Sequence, residues 1–341
     1  MLGPKILDAI ADLTEAELIA RVRDRLPPPP AWMVVGIGDD AAVVEPERNR
    51  LEVFTVDALV EDVHFDAAFT PAEAIGYRAL AVNLSDLAAM GAAPRSGLLS
   101  LALPGRLAVA DFDAIVQGIA KLAARHRVHI AGGNLTRSPG PLMIDISLAG
   151  TVKRRSVLLR SGARAGDELY VSGSIGAAAA GLQVLRAKSA TMASVVEHFD
   201  ACTRRYLYPE PRVRLGVLLG RNRAATACVD LSDGLADGVR QMAVASGVGA
   251  VIDADALPID ADARRWFEAR GADPVHEALT GGDDYELLFA ARPRLSSRLR
   301  AAMRHGGAPI ARIGVCTAER SIVLRRGGAD APWPRGYSHF R

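Results

Sequence analysis

Aspartates set in tight turns are where this chain's chemistry is most legible. Gly36-Ile37-Gly38-Asp39-Asp40 places two adjacent carboxylates after a glycine turn, and Asp57 closes an apolar run that is followed by Glu61, Asp62 and His64. Asp86 ends an Asn-Leu-Ser-Asp turn, Asp230 and Asp233 flank Leu231-Ser232, and Asp283 and Asp284 follow Gly281-Gly282. Neighbouring carboxylates repel one another, and a cation between them removes the repulsion. Mg²⁺ suits such a set, because it is a hard ion that takes carboxylate oxygens, keeps several waters and completes its shell with substrate phosphates. A single Asp at a helix start or after Gly-Gly is ordinary capping and turn chemistry. Capping needs only one carboxylate, however, so the adjacent pairs and the recurrence of the pattern favour phosphate chemistry assisted by metal ions. Gly36-x-Gly38, Gly132-Gly133 and Gly281-Gly282 read as turns whose backbone N–H groups could approach phosphate oxygens. Arg137 and Arg160 flank turns and could hold phosphate bidentately. His64, beside the acidic cluster, reads first as a hydrogen-bond partner.

Other ways of handling phosphate are excluded. There is no Gly-Lys dipeptide and hence no P-loop, and neither His-Arg-Asp nor Asp-Phe-Gly of the protein kinases occurs. No GxGxxG opens a βαβ unit, no Gly-x-Ser-x-Gly elbow is present, and no histidines have H-x-x-x-H zinc spacing. The 341 residues are half apolar and 23% charged, and 41 basic against 39 acidic residues leave a net charge of +2. That balance gives no reason to expect a nucleic-acid or membrane partner. Cys202, Cys228 and Cys316 are too dispersed for a disulfide framework, and no secretory-signal layout opens the chain, so a cytoplasmic protein is expected.

The elements that must position these groups follow from local pattern. Thr14-x-x-Glu17 is a capping box ahead of Leu18, Ile19, Val22 and Leu26 at helical spacing, and Pro27–Pro30 end that helix. Strands are expected around 34–44, 51–56, 98–103 and 143–152, with helices over 71–90, interrupted at Asn-Leu-Ser-Asp, and 110–126. In the second half, strands are expected at 168–172, 249–253, 286–291 and 310–315, and helices near 175–187 and 210–220, with a further helix that follows the acidic turn begun at Val229 and runs to about Ser246. The length suits two domains, 1–150 and 151–341, both mixed α and β. Ala81-Val82-Asn83-Leu84-Ser85-Asp86-Leu87-Ala88 also echoes Cys228-Val229-Asp230-Leu231-Ser232-Asp233-Gly234-Leu235-Ala236, as two related half-sites would. The closing Gly336-Tyr337-Ser338-His339-Phe340 is unusually aromatic for a terminus and suggests docking on the body or on a flat ligand.

Together these motifs resemble thiamine-monophosphate kinase. Gly-Ile-Gly-Asp-Asp-Ala-Ala-Val, Asp57 through Val63-His64-Phe65, the run from Ala81 to Ala92, Asp230-Leu231-Ser232-Asp233-Gly234-Leu235, Gly281-Gly282-Asp283-Asp284-Tyr285-Glu286-Leu287 and the Gly-Tyr-x-His-Phe tail occur in that family's order. They span residues 36 to 340. The Asn-Leu-Ser-Asp-Leu-Ala-Ala-Met-Gly-Ala run is the specific part. The resemblance implies a two-domain α/β (α+β) fold of the aminoimidazole ribonucleotide synthetase type, with N-terminal domains pairing into a β-barrel across a homodimer. It also implies that ATP and several Mg²⁺ ions lie in a cleft between domains, where thiamine phosphate becomes thiamine diphosphate. By position, Asp40, Asp57, Asp86, Asp230 and Asp233 match metal ligands, with Thr55 and Val56 supplying nearby oxygens. Gly133, Asn134, Arg160 and Ser232 match nucleotide contacts, and His64, Asp283 and Tyr337 match positions around thiamine phosphate. Asp57, Asp86 and Asp233 are the expected catalytic carboxylates.

Three positions depart from the family pattern. Asn134 stands where Gly-Gly-Asp-Thr-Thr has its aspartate, so one ligand offers an amide oxygen without a charge and one Mg²⁺ is expected to bind more weakly. Asp62 replaces a glycine. Val56 replaces a threonine, leaving its backbone carbonyl. Two alternatives stay open from the sequence: another ATP-dependent synthetase of the superfamily, or a nucleotide-binding homologue with impaired catalysis. The selenophosphate and hydrogenase-maturation members fit poorly, because their reactive cysteines near either terminus have no counterpart here.

Overall fold

The computed structural model describes residues 9–189, 199–334 and 336. By contact the chain divides into two units. One holds the segment up to Asn83 together with Pro94–Thr151; the other holds Leu84–Ala93 and the chain from Val152 onward.

The first unit opens on α1 (Glu15–Arg25), held by the expected capping box: the Glu17 amide donates to Thr14 Oγ1 at 3.3 Å, and the Thr14 amide donates to Glu17 Oε2 at 2.7 Å. A short hairpin, β1 (Met33–Val35) with β2 (Val43–Val44), follows. Strands β3 (Leu51–Val60), β4 (Ala93–Pro104), β5 (His129–Ser138) and β6 (Met143–Val152) form a four-stranded sheet in the order β3-β6-β4-β5. Its helices are α2 (Ala72–Ala89) and α3 (Val109–His126), in which Phe112, Ile115, Val116, Ile119 and Leu122 are buried. Along β3 the period of two is clean: Glu52, Phe54 and Val56 face solvent, while Thr55 and Asp57 lie on the half-buried side.

The sequence pattern breaks α2 at Asn83-Leu84-Ser85-Asp86, but the helix runs through it to Ala89. Leu80, Leu84, Leu87 and Ala88 are fully buried, and Asn83 turns its amide back to the Ala79 carbonyl at 3.0 Å. Burial of the apolar face outweighs the turn preference of Asn, Ser and Asp. The echo at 228–236 is therefore not structural: one copy is helix, the other strand and turn. Strand β5 corrects a second expectation. Gly132 and Gly133 lie inside a strand, paired parallel with Leu98 and Leu99, and a Cβ on Gly133 would sit 1.8 Å from the Leu99 carbonyl oxygen. Glycine there permits close strand approach rather than a turn.

The second unit is built on a seven-stranded sheet of β7 (Glu168–Ser172), β8 (Ala227–Asp230), β9 (Gly249–Asp253), β10 (Leu287–Ala291), β11 (Ile310–Thr317), β12 (Ile322–Arg326) and β13 (Ala329–Pro332), in the order β13-β12-β9-β11-β7-β10-β8. Around it lie α4 (Ala177–Ser189), α5 (Asp200–Leu207), α6 (Val213–Arg221), α7 (Leu235–Ser246), α8 (Ala261–Ala269), α9 (Pro274–Thr280) and α10 (Ser296–Gly306). Helices α5, α8, α9 and α10 are short and strongly polar on one side, which is why residue pattern alone leaves them as connections. Met90, just past α2, accepts the Leu158 amide at 3.1 Å, and Gly216 of α6 packs against the α2 backbone. An added Cβ at Gly216 would stand 1.9 Å from the Ala88 carbonyl oxygen. Gly216→Ala is accordingly expected to destabilise the protein by about 1–3 kcal/mol through overpacking, read as a lowered thermal midpoint.

Candidate active site

In the second unit, the end of α2 and the end of β8 bring together groups that lie 145 residues apart in sequence. Ser85 Oγ donates to Asp230 Oδ2 at 2.8 Å, and both residues are buried. Asp230 ends β8, opposite Leu287 of β10, so its backbone is fixed by the sheet. Burial, with the neighbouring Asp86 charge adding to it, raises the Asp230 carboxyl to about 7, against the opposing influence of the Ser85 hydroxyl and Arg160. A carboxylate so placed gains from any cation that reaches it. Among the described residues, no three His, Cys, Asp or Glu side chains form a ready-made cage. Mg²⁺ does not require one, since water and substrate phosphates supply its remaining oxygens. The oxygen-only donor set fits that ion and not a thiophilic one.

Past Asp230 the chain turns through Leu231-Ser232-Asp233-Gly234 into α7. The loop Gly281–Glu286 lies directly on this turn: the Asp283 amide donates to the Ser232 carbonyl at 2.8 Å, the Tyr285 amide to Leu231 at 2.9 Å, and the Leu231 amide returns to Glu286 at 2.9 Å. The approach leaves no room for side chains. A Cβ on Gly282 would be 2.5 Å from the Ser232 oxygen, and one on Gly234, whose φ is 90°, 2.7 Å from the Gly281 oxygen. The structure thus places Asp86, Arg160, Asp230, Ser232, Asp233 and Asp283 in or beside two interlocked turns of the second unit.

The first unit holds the remaining candidates on separate elements. Asp40 is exposed in the β1–β2 loop, where its amide donates to Asp39 Oδ1 at 2.8 Å after Gly38 at φ 118°. Thr55, Val56 and Asp57 are consecutive on β3, with the Val56 side chain facing solvent. His64 Nδ1 accepts the Val60 amide at 3.1 Å, which leaves the neutral ring's proton on Nε2. Asp62, where the family has glycine, adopts φ 68°, a left-handed conformation that aspartate tolerates better than most residues. Gly133 and Asn134 belong to β5, with β6 and β4 between them and β3, so Asn134 and Asp57 are not neighbours in the sheet. Tyr337 lies outside the described residues.

Several supporting groups were not singled out from sequence. Ser85 is one; its signal was the Ser that precedes Asp86 in the motif. Arg205, Arg212 and Glu286 are others: Glu286 is fully buried and accepts Arg205 Nη2 at 2.7 Å, Arg212 Nε at 2.6 Å and Ser172 Oγ at 2.6 Å. In a chain so rich in arginine, residue type alone could not mark those two.

Comparison with known proteins identifies the family. The AIR synthase related protein N-terminal domain model matches residues 38–152, and the corresponding C-terminal domain model matches 164–327. The thiamine-monophosphate kinase of Escherichia coli (strain K12) is 37% identical over 330 residues, covering 96% of this chain and 98% of that protein. The crystal structure of thiamine-monophosphate kinase from Stenotrophomonas maltophilia K279a superposes with a TM-score of 0.81 at 38% identity, covering 94% of this chain and 98% of the other. A structure of AaThiL complexed with AMPPCP and TMP superposes with a TM-score of 0.76 at 29% identity, over 100% of this chain and 99% of its own. The mixed α/β fold of the AIR synthase type expected from the sequence is thus the observed one, and the chain belongs to the thiamine-monophosphate kinase family of AIR synthase related proteins.

Proposed function

We propose that this protein transfers the γ-phosphoryl group of ATP directly to the phosphate of thiamine phosphate, giving thiamine diphosphate and ADP. The observation that carries the reading is the buried Asp230 carboxylate beside Asp86, held by Ser85, in a chain 37% identical to a thiamine-monophosphate kinase over 96% of its length. The AaThiL complex with AMPPCP and TMP supports ATP and thiamine phosphate as the reactants.

In the reaction, an acceptor phosphate oxygen forms a bond to the γ-phosphorus while the β–γ bridging oxygen departs with ADP. A phosphate monoester has its second pKa near about 6, so the nucleophile is already ionised at neutral pH and no general base is required. The barrier is the approach of two polyanions and the charge on the transferring group. Mg²⁺ held by the chain's aspartates would supply that neutralisation and alignment. Asp40, Thr55, the Val56 carbonyl, Asp57, Asp86, Asn134, Asp230 and Asp233 are the residues assigned to several such ions. Gly133, Asn134, Arg160 and Ser232 are assigned to the nucleotide: Gly133 lets the chain approach closely, and Arg160 offers a planar pair of donors. His64 and Asp283, with Tyr337, are assigned to thiamine phosphate.

Two further assignments complete the reading. The outward face of the four-stranded sheet carries Phe54 at 76% and Val56 at 58% exposure, beside a 340 Å³ concavity lined by Val44, Phe54 and Leu98. An apolar face of that kind suits burial against a second copy, and we assign a homodimer. Cys202, Cys228 and Cys316 are free and buried, and among the described residues no helix is long and apolar enough to cross a membrane. We place the enzyme in the cytoplasm.

Asp57→Asn and Asp86→Asn are each expected to lower kcat by at least about a hundredfold, the order found for losing one preorganised charge-stabilising group, with an unchanged circular dichroism spectrum. Near-normal turnover in either variant would refute the metal assignment. Incubation with ATP, Mg²⁺ and thiamine phosphate should yield thiamine diphosphate on chromatography, whereas unphosphorylated thiamine, whose hydroxyl would need a base, should give no product. ATP binding without product would instead identify a nucleotide-binding homologue. Asn134→Asp should restore the missing ligand charge and lower the Mg²⁺ concentration for half-maximal rate several-fold; an unchanged requirement would remove Asn134 from the ligand set.

A further inference from the structure

Within the loop between α9 and β10, two residues with side chains adopt left-handed backbone: Asp283 at φ 68° and Tyr285 at φ 48°. A bulky residue in that region is uncommon, because its Cβ crowds its own peptide, and it persists only where the surroundings over-determine it. Here they do. The buried Asp284 carboxylate accepts the Gly176 amide at 2.8 Å and the Ala178 amide at 3.3 Å, at the start of α4. Glu286 is pinned by Arg205, Arg212 and Ser172, and Gly173 has no room for a Cβ because the Glu286 carboxylate occupies that space, 2.0 Å from it. The intervening amides are tied to Leu231 and Ser232.

With Asp284 and Glu286 acting as pegs on either side, Tyr285 has one place to go. Its ring is buried, at 8% exposure, and its hydroxyl donates to Asp283 Oδ1 at 3.2 Å. Asp283 itself is only half-buried. A hydrogen bond from a rigid aromatic ring helps to fix a carboxylate's orientation without neutralising its charge.

We propose that Tyr285 is a positioning residue for substrate recognition: its hydroxyl holds the Asp283 carboxylate in the orientation that meets the cationic thiazolium and aminopyrimidine part of thiamine phosphate. This rests on the assignment of Asp283 to that substrate. The left-handed backbone at both residues is the device that lets positions 283 and 285, two apart in a loop, face one another while Asp284 and Glu286 point into the protein.

The test is a double-mutant cycle on the full chain with Tyr285→Phe, Asp283→Asn and the pair, measuring kcat and KM separately for thiamine phosphate and ATP, with thermal midpoints alongside. Tyr285→Phe is expected to raise KM for thiamine phosphate by about fivefold, the scale of one typical net hydrogen bond, while KM for ATP stays within about twofold and the midpoint is unchanged. Asp283→Asn should raise the same KM further, and adding Tyr285→Phe to it should change nothing more. Independent, multiplying effects in the double variant would overturn the proposal, as would equal changes in both KM values or a silent Tyr285→Phe beside an impaired Asp283→Asn. A silent Asp283→Asn would overturn the assignment of Asp283 itself, and is recognisable from that single variant.

Discussion

A carboxylate removed from water must be compensated by donors, by opposite charge or by a proton, and the second unit is organised around three that are. Glu286 is answered by two guanidinium groups and a hydroxyl. Asp284 has two backbone amides at the start of α4, yet burial still raises its carboxyl to about 7. Asp230 has the Ser85 hydroxyl, its own backbone amide and the field of Arg160, with a like charge at Asp86 set against it, and burial raises it likewise to about 7. Buried charge left short of partners is expensive in a fold and is retained where a ligand completes it.

The three are linked mechanically as well as electrically. Asp230 ends β8, Glu286 immediately precedes β10, and the two strands pair antiparallel, so the ladder that orders the sheet also sets the register between the Asp230–Asp233 turn and the Asp283 loop. Glycine at 234, 281 and 282 lets the two turns interlock, since added Cβ atoms would meet backbone or neighbouring side chains within 3 Å. Helix α2 delivers Ser85 and Asp86 from far away in sequence, and its end is located by the Leu158 amide and by the close crossing at Gly216. Rigid elements thus hold the groups proposed to meet phosphate, which is what electrostatic catalysis asks of a protein.

Much of this was legible from residue order. Hydrophobic periodicity and capping chemistry located α1, α3, β6 and β9, because each has a strong local pattern and a distinct start or stop. The aspartate set and the long Asn-Leu-Ser-Asp-Leu-Ala-Ala-Met-Gly-Ala run were sufficient to place the chain in its family. Local preference misled in two places. Asn83, Ser85 and Asp86 favour turns in isolation, yet the buried leucines and alanines around them keep α2 continuous; Gly132 and Gly133 read as a turn, although the closeness of β4 makes glycine necessary within a strand.

The sequence by itself determined which chemistry is available, a set of hard oxygen ligands suited to divalent cations, since side-chain type sets donor character wherever the residue lies. It also determined the family, through the order and content of long motifs. Only the tertiary structure decided that Ser85 answers Asp230, that the half-buried Arg205 and Arg212 are partners of the buried Glu286, and that Tyr285 reaches Asp283. Those pairings join segments up to 145 residues apart or depend on left-handed backbone two positions away. They are set by packing and desolvation across the fold, and neither is a property of any short stretch of chain.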